Sequence, residues 1–127
     1  MVRAISLLAV LIFATAGCVT LDKPGELALI LSAQNLAYTI AKDDPDVIEP
    51  GLIILKSIEE GRESDEYAQM LSAWLINKYQ GKPLMVVNIM AIMDSVTVQG
   101  EINTLRLRIA AKGAIQGLEL VKMERAD

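Results

Sequence analysis

Apolar and polar positions divide the chain into six stretches. Residues 4–14 are apolar except for Ser6, and residues 27–41 then run for fifteen positions without a charge. In the second stretch Ser32, Asn35 and Thr39 fall on one side at helical spacing, which predicts a helix over 26–42. It is too short and too polar for a membrane span. It reads as a core-facing helix, with an interfacial helix lying on a membrane as the competing reading. Asp43, Asp44, Pro45 and Asp46 carry turn chemistry. A second helix, with Leu52, Ile54, Leu55 and Ile58 inward, ends by Gly61. Asp46 and Glu49 have the spacing of an amino-terminal cap, but Pro50 favours a start at Pro50 itself.

Ser64 is expected to cap a third helix over 64–80, whose stripe is Tyr67, Met70, Leu71, Trp74, Leu75 and Lys78. Gly81 and Pro83 stop it. Residues 83–99 are rich in Val and Ile, and strand competes with helix over 84–98. Asn88, Ser95 and Gln99 keep helical spacing, so the expectation is a buried helix at the middle of the bundle. A last helix over 101–124 turns Ile102, Leu105, Ile109, Leu118 and Val121 inward. Its Gly113 and Gly117, four apart, suit close packing on a neighbouring helix, or else a dimer seam. The sum is an all-α fold, a compact bundle of about five helices.

Composition narrows the function. Hydrophobic residues make up 53% of the 127 positions, too many for a disordered chain. Net charge is −4, which argues against a nucleic-acid partner. There is no His and one Cys, so His-based acid–base chemistry and Cys/His metal sites are excluded. No catalytic residue, metal site or cofactor is expected.

The amino terminus carries the one specific motif. Met1-Val2-Arg3, the apolar run and Thr15-Ala16-Gly17 have the layout of a secretory signal peptide. Ala16-Gly17-Cys18 after that run resembles the lipobox of bacterial lipoproteins, with Thr15 where the family most often has Leu. The resemblance covers residues 1–18 only. It implies cleavage between Gly17 and Cys18, acylation of Cys18, and attachment to the lipid bilayer through it. Residues 1–17 would be the signal peptide, 18–25 a lipidated tether and 26–127 the helical domain. Val19, not Asp, follows the cysteine. By resemblance this favours the outer membrane facing the periplasm, if the host is diderm. A signal peptide cut after Ala16 and an uncleaved anchor are the alternatives.

Two acidic clusters, Asp43/Asp44/Asp46/Glu49 and Glu59/Glu60/Glu63/Asp65/Glu66, read as solvated turn and cap residues. Arg106, Arg108 and Lys112 on the last helix, with Tyr79, are the candidate contacts for a protein partner in the envelope or for anionic headgroups. Trp74 and Tyr67 lie on the apolar stripe; Tyr79 falls off it and is expected to be exposed. The functional expectation is a non-enzymatic adaptor, assembly or structural lipoprotein. A phage-borne envelope lipoprotein and a two-carboxylate wall hydrolase are the alternatives, and the latter would need a paired-carboxylate cleft.

Overall fold

Helix formation begins inside the segment expected to be tether. The computed structural model describes residues 23–61 and 63–126, so the signal peptide, Gly17 and Cys18 lie outside the described residues. α1 spans Lys23–Asp43. Pro24 does not obstruct it, because first-turn N–H groups have no intrahelical acceptor to lose. A single 3-10 turn, Pro45–Val47, leads into α2, Ile48–Glu59. Pro50 thus sits in the first turn of α2 rather than starting it. No side chain caps either of these two elements, so the Asp46–Glu49 pairing does not form a cap.

α3 is Ser64–Lys78, shorter than expected by two residues. Ser64 is not its cap. That position belongs to Glu63, in the left-handed region at φ 43°. Ser64 is buried and donates its hydroxyl to the Ile58 carbonyl at 3.2 Å, closing the turn onto the end of α2. α4 is Pro83–Ser95 and stops short of Gln99. Thr97–Val98 (β1) and Glu101–Ile102 (β2) pair antiparallel instead, with Thr97 opposite Ile102. Gln99 and Gly100 both have positive φ, 53° and 81°, as the tight reversal of a two-residue hairpin requires. α5, Thr104–Ala126, follows, its third N–H donated to the Asn103 side chain at 3.0 Å.

The fold is the expected all-α bundle, with five helices among the described residues. Its centre is not α4. α4 has one buried residue, Ile89, while Leu84, Val87 and Met90 are 81, 59 and 54% exposed. α5 is the middle, burying nine residues against α1 and α2. Small side chains decide this. A Cβ on Gly113 would stand 2.3 Å from the Ile30 carbonyl oxygen, and one on Gly117 would stand 2.4 Å from that of Gln34. The helices touch backbone to backbone there, so the glycine pair is an internal contact. The rising order, Ile30 with Gly113 and Gln34 with Gly117, makes α1 and α5 parallel. α2 runs antiparallel to α5, its Glu49 paired with Lys122 at 2.9 Å and its Glu59 carbonyl accepting Arg108 Nε at 3.0 Å. Met70 and Leu105, both expected inside, are 52 and 55% exposed; Ala68 and Leu107 take the inward positions. Among the described residues no helix is long and apolar enough to cross a membrane.

Candidate functional site: an uncharged groove between the first and fourth helices

The two polar stripes seen in the sequence face a common gap. Ser32, Asn35 and Thr39 of α1 and Asn88 and Ser95 of α4 line one groove of about 480 Å³. Leu36, Leu84, Met85 and Ile92 supply its apolar lining. The helices contact each other only lightly and so leave the gap open. None of these lining residues is charged, and residues 27–41 and 83–93 contain no Asp, Glu, Lys or Arg; Asp94 stands beside Ser95 at the end of α4. Ser95 Oγ donates to the Ala91 carbonyl at 2.9 Å, so that hydroxyl is already engaged. A groove of this make-up offers weak dipoles and hydrocarbon. Its lining has hydroxyls but no acid or base to activate them, and nothing to neutralise an ionic ligand. A second cavity, about 120 Å³, lies in the core against Trp74, Leu75, Ile89 and Leu107 and is lined almost wholly by apolar atoms.

The candidate contact residues do not form one patch. Lys23 precedes Ile30 by as many positions as Arg106 precedes Gly113, so in the parallel pair Arg106 lies level with the first turn of α1. Arg106 Nη1 donates to the Ser95 carbonyl at 3.3 Å, and Arg108 donates to that of Glu59. Both guanidiniums therefore tie helix ends, those of α4 and α2, to α5. Lys112 is exposed on α5.

Tyr79 sits at the opposite end and, against expectation, is buried at 7% exposure. Its ring closes the corner between α3 and the α1–α2 turn, and its hydroxyl donates to Asp44 Oδ2 at 3.3 Å. Burial first, then the Asp44 charge, push the Tyr79 hydroxyl up to about 12. Lys78, 3.2 Å from the same carboxylate oxygen, holds Asp44 below its ordinary value. Tyr67 and Trp74 are half-buried against the core.

Three members of the first acidic cluster are drawn into pairs: Asp43 with Lys82, Asp44 with Lys78 and Glu49 with Lys122. Among the described residues no three acidic or thiol groups are placed to hold a metal ion. Sequence reasoning found both polar stripes but missed that they share a groove. The available signal was the coincidence of two long uncharged runs, 27–41 and 83–93, in one chain of 22% charged residues. No family model, curated protein or solved structure matches the chain.

Proposed function

We propose that this chain is a membrane-anchored bacterial lipoprotein whose helical domain works by binding rather than by catalysis, as an adaptor, assembly or structural factor of the cell envelope. The observation that carries this reading is the uncharged groove with large apolar side chains left in water on its α4 wall, Leu84 above all. Soluble domains rarely leave such contiguous apolar surface without a use for it. The residues lining it are suited to contact and not to bond-making. The lipobox-like Ala16-Gly17-Cys18 supports the anchor. Two or three acyl chains on Cys18 would hold the protein to a leaflet for its working life, since each buried CH₂ adds about 0.8 kcal/mol. Val19 favours an outer-membrane destination in a diderm host.

Intact-mass measurement of membrane-extracted protein tests the anchor. Wild type should lack residues 1–17 and carry two or three acyl chains, and Cys18→Ser should carry none. Crosslinking in intact cells followed by mild detergent extraction tests the adaptor role. A defined envelope protein should be recovered with the wild type and lost when Lys112 is reversed to Glu. A chain that stays uncrosslinked and monomeric in cells would remove the adaptor role.

A further inference from the structure

We infer that the uncharged groove between α1 and α4 faces the lipid leaflet that holds the anchor, so that the groove's occupant is the bilayer itself. This rests on the reading of Cys18 as the acylated residue, and it adds which face meets the lipid. Three observations carry it.

The first is charge. The chain is 22% charged, yet the two helices that share the groove have consecutive uncharged runs of fifteen and eleven residues, 27–41 and 83–93. None of the groove's lining residues is charged, so pressing them onto a leaflet dehydrates no ionised side chain among them, and the exposed Asp94 beside Ser95 marks where α4 returns to the headgroups. The second is exposure. Leu84 and Val87 on α4 and Leu31 on α1 are 46 to 81% exposed, and Leu84 shares the groove with Ser32, Asn35 and Thr39. Alkyl groups interleaved with hydroxyl and amide groups match the boundary between headgroups and acyl chains. The third is reach. α1 is itself one wall of the groove, and its first residue, Lys23, stands only four intervening residues beyond Cys18. That segment spans at most roughly 18 Å. α1, with 21 residues, is about 32 Å long. The tether is thus shorter than the helix it holds. The tether therefore keeps the amino-terminal end of α1 close to the leaflet, and the uncharged groove wall begins directly after its first turn, Lys23 to Glu26.

A second copy of the chain is the rival occupant. The tether argument favours lipid, because every molecule has its own leaflet within reach at all times.

The test uses the lipidated protein itself. Acylation consumes the only native thiol, so a single added cysteine can be labelled uniquely with a thiol-reactive fluorophore. Val87→Cys and Leu84→Cys report the proposed face. Ile53→Cys, 67% exposed on the charge-bearing α2, is the matched control. Each labelled protein is reconstituted into phosphatidylcholine vesicles carrying brominated acyl chains. Labels at 87 and 84 should be quenched severalfold more than the label at 53, and adding phosphatidylglycerol or salt should change this little, because the face has no Lys or Arg. Equal quenching at all three positions overturns the proposal. So does quenching that appears only with anionic lipid, which would point to Lys112 and its neighbours instead. Spontaneous disulfide dimers of Val87→Cys with the label excluded would assign the face to a second copy, and so overturn it too. Intact mass separates the two levels of failure. An unacylated Cys18 removes the anchor and with it this proposal; an acylated Cys18 with unquenched labels removes the proposal alone.

Discussion

Replacing Gly113 by alanine should loosen the whole domain. Alanine is the better helix former by about 1 kcal/mol, so on an exposed helix this change stabilises. Here the added methyl meets backbone. Its nearest neighbours are the Ile30 carbonyl oxygen at 2.3 Å and the Ile30 Cα at 2.9 Å. Restoring ordinary contact requires α1 to retreat by roughly 1 Å, which forfeits a quarter to a half of the attraction at each contact along the seam. Overpacking costs about 1–3 kcal/mol, and a backbone obstacle puts this site at the upper end. Set against the propensity gain, the net loss is about 2 kcal/mol, or a Tm lowered by roughly 10 °C for a domain of this size. Gly117→Ala should behave alike, its methyl 2.4 Å from the Gln34 carbonyl oxygen. The double substitution should cost less than the two together, since one retreat makes room for both methyls. Trimming Ile30 to alanine should not rescue Gly113→Ala, because the obstacle is main chain. Gly51→Ala meets only Leu118 Cδ1 at 3.0 Å, a side-chain end that can turn away, and should cost less. Gly81→Ala meets nothing within 4 Å and should be neutral or mildly stabilising. Urea unfolding followed by helical circular dichroism reads all six variants. Gly113→Ala unfolding at the wild-type midpoint would refute the direct backbone contact and return the glycine pair to the surface.

Other outcomes follow from the corner at Tyr79 and from the hairpin. Tyr79 ionises at about 12 in the folded chain against 10.0 free, so the fold holds its proton more tightly than the unfolded chain does. Stability should therefore be intact below pH 10 and fall by roughly 2 kcal/mol as pH rises to 12. Phenolate absorbance should show one late-titrating tyrosine, absent in Tyr79→Phe. Asp44 has the opposite sign. Its carboxylate, held low by Lys78, favours the folded state above pH 3.8, and that contribution should vanish as acid protonates it; Asp44→Asn should flatten this part of an acid-unfolding curve. Gly100→Ala, at φ 81° with open space around it, should cost about 1 kcal/mol through backbone strain alone, measured by urea midpoint. Ser64→Ala should cost about 1 kcal/mol by removing the buried bond to the Ile58 carbonyl, with thermal unfolding as the readout.

Much of the secondary structure was legible because one face of each helix must meet a core. Leu52, Leu55 and Ile58 gave α2, and all three are buried. Gly113 and Gly117 announced a close approach, and they make one. What failed was rank. Residues 83–93 are the most apolar run in the described domain, and hydropathy alone puts such a run at the centre. The centre went instead to α5, where Ala110, Ala111, Gly113 and Gly117 let neighbours come near. Side-chain size, not greasiness, chose the middle, and the apolar helix was left outside. The hairpin escaped because two-residue strands are too short to show a period. Tyr79 escaped because its partner, Asp44, is 35 positions away and only the folded corner joins them. The groove escaped for the same reason: each stripe is local, but their meeting across a gap is tertiary.

The seam between α1 and α5 also sets a timetable. Its partners are the earliest and the latest helices of the domain, about 83 positions apart from Ile30 to Gly113. Contacts of such long separation come late, after the cost of closing the intervening loop has been met. A chain leaving a ribosome or a translocation pore by its amino end therefore shows α1 to the world long before its mate is synthesised. Until then its bare flank has nothing of its own to lie against, and a chaperone or a nearby bilayer has first claim on it.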